Sequence, residues 1–514
     1  GRAEDALPLL LRAIDETPAD RGRLQLERGR TLASLDRKAE ALAALDLADE
    51  LLKTPAAAPR VFAQLELRAR AGLPDVPALA ETLEGLVPRR VGRLLTAMWR
   101  LGLDRSRGLY DLSDALSEIS ALRILEDAGV DLLWIKRSLR DAARAEDDPS
   151  SLARAAAAFD KLKKLEPEDA ALLLDRAATL RRIGDLLKPG DATAAAARYA
   201  EAGEAFEGAS VSDGLDLGGQ ERASKEGADA FVRAERFAPA ARLFRRWHEF
   251  APRRNAEGLL LQARCLRRAS LPGAAADVYG EYAARARTGD PGLPEALLER
   301  GRLRAELGDR EGALAEFDRL LTEDLGVSPD AAEWEAALLE RGRTLLDLGR
   351  PDKARRALAE YLERYAKGEV RPGASEAAYH LGRAAMEQRD WEGALEALER
   401  AFSTEPADER TAALQREARF LRGDLFFALG RFEDAERAYA EASRRHAGSP
   451  DRLWGVVGRA RALAKLGRLD EARREARAGR ALYDEGKDAL ETSFSGRGKT
   501  YWTAALDVLE KEVR

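Results

Sequence analysis

An alanine that opens a second apolar run recurs at positions 240, 275, 313, 354, 394, 435 and 472, in steps of 35, 38, 41, 40, 41 and 37 residues. A period of that length restricts a chain to arrays in which one supersecondary unit is stacked on copies of itself. The stretch 378–406, AYHLGRAAMEQRDWEGALEALERAFSTEP, displays the unit. Leu381 and Ala385 share one face with Gly382 between them, and Arg389 and Asp390 interrupt the run. Ala394, Leu398 and Ala401 then follow at i, i+4 and i+7, until Pro406 stops the second run. That spacing is one helical stripe, and proline does not continue it. The unit is a helical hairpin.

The same frame returns along the chain. Gly423, Gly430, Ala435, Tyr439 and Ala442 repeat it, as do Gly301, Gly308, Ala313 and Phe317, then Gly342, Gly349, Ala354 and Leu358. Gly29, Ala41 and Leu45 follow it near the start, and Ala263, Ala275 and Tyr279, with Ala228, Ala240, Phe244 and Pro252, fit it less closely. Where two helices cross closely only Gly or Ala fits, and a bulky residue forced in costs roughly 1–3 kcal/mol. The large Phe, Tyr or Leu one turn after the alanine is expected to fill the space between neighbouring hairpins.

In these positions the chain resembles the tetratricopeptide repeat (TPR) family, whose signature is a small residue midway along a first helix, a Gly before the turn, a small residue and then an aromatic or Leu in the second helix, and a closing Pro. The resemblance implies an all-α fold, a right-handed α-solenoid of antiparallel helix pairs in a TPR-like superhelix. The family period is about 34 residues. The surplus here lies in loops at 288–294, 326–330, 367–375 and 446–450, which leave a helical stack intact.

Composition agrees. Ala, Leu, Arg and Glu dominate, aromatics are 6%, and no sheet is expected. A formal charge of -6 argues against nucleic-acid binding, which draws on a net basic surface. No run of eighteen apolar residues exists, so no membrane span is expected. The single cysteine, Cys265, excludes an intrachain disulfide and a cysteine-rich metal site. It is expected to be a small buried side chain.

The frame divides the chain into N-terminal hairpins over 1–55 with the first incomplete, degenerate hairpins over 56–150, hairpins over 151–207, a Gly/Ser/Asp-rich loop or break over 208–227, a regular array over 228–480 and a capping helix within 481–514. Ala155, Phe159 and Pro167 mark the return of the pattern after 150. Because Ala6, Leu10, Ala13 and Pro18 have the register of a second helix, its partner is expected upstream of the sequence given. The compartment stays open between cytoplasm and periplasm.

Solenoids bind partners along a wall of first helices. The tetrapeptide Glu-Arg-Gly-Arg at 27–30, 299–302 and 340–343 puts an Arg after the glycine on that wall. Arg30, Arg302, Arg343 and Arg383, with Arg264 equivalent, are candidate forks for carboxylates of a bound peptide. The competing expectation is local: Glu27–Arg30, Glu299–Arg302 and Glu340–Arg343 are i, i+3 pairs worth roughly 0.2–0.5 kcal/mol each. Tyr379, His380, Phe420 and Phe427 are candidates for an apolar groove, against their being core. The chaperone clamps of the family use asparagines on that wall, and the one asparagine here, Asn255, falls in a loop.

Other motifs carry no chemistry. The SGRGKT at 495–500 lacks the glycine a phosphate loop needs and has no strand before it. The Arg422–Gly423–Asp424 triplet falls inside a helix whose glycine is needed for packing. His248, His380 and His446 are too far apart in sequence for a metal or catalytic cluster. No enzyme activity, metal or cofactor is expected. The reading is a protein-interaction scaffold that binds a partner peptide or helix. The alternatives are the sensor or autoregulatory repeats of a larger signalling enzyme, a kinase or a nucleotide-switched ATPase, or an exported assembly factor.

Overall fold

The computed structural model describes residues 2–35, 37–52, 87–128, 130–366, 372–403, 405–486 and 498–513. Among them the chain forms 25 α-helices and no strand. It divides into two units, Gly1–Ser270 and Leu271–Arg514. Within each, most consecutive helices joined by short turns pack on one another; in the first unit Arg105–Glu118 also packs on Pro149–Leu165, and in the second the first helix of each hairpin also touches that of the next. Short connections make successive helices antiparallel, and contact mainly between near neighbours along the chain is the mark of an α-solenoid.

The hairpin read from 378–406 consists of the helices Pro372–Glu387 and Trp391–Ala401. Arg389 turns the chain between them at φ 58°, and the Asp390 carboxylate caps the second helix by accepting from the Gly393 N–H at 3.0 Å. In four other hairpins the turn residue is Gly308, Gly349, Gly430 or Gly467, at φ between 65° and 87°, a left-handed conformation that costs glycine little.

The seven alanines of the period are wholly buried. The glycines of the first helices explain why. A methyl group on Gly301 would stand 2.4 Å from the Phe317 ring, on Gly342 2.6 Å from Leu358, on Gly382 2.7 Å from Leu398 and on Gly423 2.5 Å from the Tyr439 ring. Each partner comes sixteen positions later in the same hairpin. The large second-helix residue therefore first covers the glycine of its own hairpin, which refines the expectation that it fills the gap to the next. Tyr439 does both, because a methyl on Gly458 of the following hairpin would also lie 2.5 Å from its ring. Its hydroxyl donates to Asp424 at 2.5 Å, and Asp424 also accepts from Trp454 Nε1 at 3.0 Å. The Arg-Gly-Asp triplet is thus part of this packing. Cys265 is buried, and burial pushes its thiol up to about 11.

Residues 208–227 are not a break. The helix Ala192–Ser210 runs into the segment and the helix Leu217–Arg233 occupies its second half, so only residues 211–216 connect them. Asp216 caps the second helix, accepting from Gly219 N–H at 2.7 Å. The glycines serve contact here: a methyl on Gly227 would meet Leu243 and Phe206 at 2.8 Å, and one on Gly214 the Glu168 carbonyl oxygen at 2.4 Å. Within 56–150, residues 56–86 lie outside the described residues, and the helices Arg89–Leu103, Arg105–Glu118, Arg123–Asp127 and Leu132–Ala145 follow. At the C-terminal end, the helix Lys499–Glu512 buries Trp502, Leu506 and Leu509. Arg480 anchors it through Asp507 at 2.7 Å and Glu510 at 2.8 Å.

Candidate protein-interaction surface

The arginines after the glycines do not stand as free forks. Arg302 binds its own Glu299 at 2.9 Å and, through Nε, Glu340 of the next first helix at 3.0 Å. Arg343 repeats this with Glu340 at 2.9 Å and Glu376 of the hairpin beyond at 3.9 Å. Glu376 is also held by Arg410 at 2.5 Å, and His380 Nε2 lies 3.6 Å away. Acids and arginines therefore alternate along four successive first helices. Burial pushes the Glu376 carboxyl up, but the His380 hydrogen bond and the Arg410 charge outweigh it and hold it below the usual range. The Arg30 side chain of Glu27–Arg30 lies outside the described residues, whereas the Glu299–Arg302 and Glu340–Arg343 pairs form as the local expectation has them, and both arginines also reach a carboxylate outside their own hairpin. That carboxylate belongs to this chain.

The aromatic candidates separate. Tyr379, His380 and Phe420 are buried, which corrects their assignment to an open groove. Phe420 stacks on Trp454 at 5.4 Å between ring centroids, and Tyr379 meets the His380 ring edge-on at 5.1 Å. Burial and the Glu417 charge raise the Tyr379 phenol, with Arg383 opposing them. Phe427 is half-buried against Phe432, with Arg461 over its ring at 5.0 Å. Arg264 and Arg383 are exposed, and the Arg30 side chain lies outside the described residues.

A groove along first helices lies in the N-terminal unit. The helices Leu132–Ala145, Ala171–Leu187 and Leu217–Arg233 flank a groove of about 640 Å³. Phe159 and Phe206, from the intervening second helices, contribute to its lining. Five arginines line it, Arg140, Arg144, Arg181, Arg182 and Arg222, against three acids, Asp175, Asp185 and Glu226. Arg140 grips Asp175 with two hydrogen bonds of 2.7 and 2.5 Å. Arg181 pairs with Glu226 at 3.2 Å and lies over the Phe206 ring at 6.0 Å, and Arg182 pairs with Asp147 at 2.6 Å. Arg144 and Arg222 are exposed, and no ion pair engages either among the described residues. The excess of guanidinium groups beside apolar rings suits a chain segment carrying carboxylates.

This groove is not among the sequence expectations, although a signal for it was present. The residue two before the small residue is Glu in Glu-Arg-Gly-Arg, but it is Arg182 before Gly184. A methyl on Gly184 would stand 2.6 Å from the Tyr199 ring, fifteen positions later, so a close variant of the frame recurs with a base in place of the acid.

Three overlapping stretches, residues 339–409, 407–450 and 420–489, match the family model described as tetratricopeptide repeat. Residues 339–489 carry tetratricopeptide repeats. Solved structures similar to the chain include MamA from Desulfovibrio magneticus RS-1, at 20% identity over 36% of this chain and 92% of that one, with a TM-score of 0.30. A tetratricopeptide repeat protein from Parabacteroides merdae ATCC 43184 is similar at 17% identity over 56% and 98%, TM-score 0.35. The C-terminal part of a TPR repeat-containing protein from Cytophaga hutchinsonii is similar at 14% identity over 49% and 92%, TM-score 0.36. Comparison with curated proteins found no match. Tetratricopeptide repeats support a protein-interaction scaffold role. Among the described residues no helix is long and apolar enough to cross a membrane.

Proposed function

We propose that the chain is a scaffold that captures an extended peptide or a helix of a protein partner on the face made by its first helices, without covalent chemistry. The observation that carries this reading is the groove between Leu132–Ala145, Ala171–Leu187 and Leu217–Arg233, with its surplus of arginine over acid. A peptide bearing Asp or Glu gains charge-assisted hydrogen bonds there and covers the Phe159 and Phe206 surface. The exposed Arg383 extends the same chemistry to another first helix, whereas Arg302 and Arg343 hold hairpins together.

The test uses a partner identified by crosslinking in the native cell and then purified. The double variant Arg144→Glu, Arg222→Glu is expected to weaken its affinity about ten- to a hundredfold, the loss of one or two charge-assisted contacts. Wild-type affinity should fall with rising salt. Unchanged affinity in the double variant, with helix content retained, would remove the groove from the binding surface.

A further inference from the structure

The C-terminal unit holds a basic cluster of its own. Arg416, Arg419 and Arg422 project from the helix Glu409–Ala428, and Arg445 and His446 stand at the end of the helix Phe432–Arg445. Arg419 is 8% exposed, yet no carboxylate lies within ion-pair distance of it among the described residues. Its contacts are the Gln415 carbonyl oxygen at 3.2 Å and the Phe402 ring at 4.9 Å. A buried charge without a counter-charge is costly, and such groups are ordinarily paired.

The neighbours increase the imbalance. Arg445 and Arg422 act on Arg419 as like charges, with Glu441 and, least of all, exposed Glu405 opposing them. Arg416 meets Asp451 at 3.3 Å and Arg422 meets Glu441 at 2.6 Å. Among the described residues four guanidinium groups thus face two carboxylates at ion-pair distance. His446 Nε2 is buried without a hydrogen-bond partner. Burial and the charges of Arg419, Arg416 and Arg445 push the imidazole down to about 4, so the ring is neutral at pH 7 and keeps one N–H to donate.

We propose that Arg416, Arg419, Arg445 and His446 form a binding site for a phosphate-class oxyanion. Two unmatched positive charges equal the charge of a phosphate dianion, and tetrahedral oxygens accept hydrogen bonds from several directions at once, which suits donors arriving from two helices. The ligand is inorganic phosphate or the phosphoryl group of a small monoester. Binding gives Arg419 its missing counter-charge.

The chain contains three histidines, so the His446 ring signal in an NMR spectrum is assigned by its loss in His446→Asn. Titration of the full chain with inorganic phosphate is expected to move that signal saturably, while sodium chloride at equal ionic strength does not. Arg419→Met should weaken binding about ten- to a hundredfold. Arg445→Gln, at an exposed position that leaves the core intact, should weaken it about tenfold and decides the matter if Arg419→Met does not fold. Saturation by phosphate alone assigns the free ion, and saturation by phenyl phosphate as well assigns the phosphoryl group. No saturable movement in the wild type, or wild-type affinity in the variants that fold, overturns the proposal.

Discussion

Gly423→Ala is expected to destabilise the C-terminal unit by roughly 1–3 kcal/mol, although alanine is the better helix former by about 1 kcal/mol. The new methyl would lie 2.5 Å from the Tyr439 ring, and that ring is confined on another side by Gly458. It cannot swing clear without breaking its hydrogen bond to Asp424. Overpacking therefore wins over propensity. Gly102 supplies the opposite sign: it is helical, exposed, and a methyl group placed on it would meet nothing within 4 Å, so Gly102→Ala should stabilise by about 0.5–1 kcal/mol. Hydrogen exchange resolved by peptide separates the two effects. Protection should fall in Glu409–Ala428 and Phe432–Arg445 for the first variant and rise in Arg89–Leu103 for the second. Equal and stabilising shifts at both sites would contradict close approach at Gly423.

Glu340→Ala has the second large effect. Glu340 is 9% exposed, and its two oxygens engage Arg302 and Arg343 in different hairpins. Its loss leaves two part-buried guanidinium groups each short of a partner, a cost of roughly 1–3 kcal/mol. An exposed pair such as Arg473–Asp470 contributes little by comparison, so Asp470→Ala serves as the control. Faster exchange is expected in Leu293–Glu306 and Ala332–Asp347 together, because one residue joins both hairpins. Acceleration confined to Ala332–Asp347 would show that the Arg302–Glu340 pair contributes nothing between hairpins.

What the sequence disclosed depended on how far each interaction reaches. Gly301 and Phe317 belong to one hairpin, so their spacing repeats faithfully and the contact was legible as a period. The pair Glu299–Arg302 was legible for the same reason. Its continuation to Glu340 was not, because it depends on the register of one hairpin against the next. The groove needs three first helices side by side, and only the exchange of Glu for Arg182 hinted at it. Residues 208–227 were misread because Gly219 and Gly227 look like loop glycines in a string of letters. In the structure Gly219 lies against the Asp216 carboxylate that caps its helix, and Gly227 is in close contact with Phe206 and Leu243. Phe420 looked like a candidate surface aromatic, and only the stacked Trp454 thirty-four positions later shows why it is core.

The central claim is that Gly301, Gly342, Gly382 and Gly423 exist to admit the large residue sixteen positions later. A double-mutant cycle on Gly301 and Phe317 tests it, since a methyl on Gly301 would lie 2.4 Å from the ring. If the claim holds, Gly301→Ala costs markedly less in a Phe317→Ala background, where the ring it would meet is gone, with a coupling of about 1 kcal/mol or more. Additive effects, within about 0.3–0.5 kcal/mol, would contradict it.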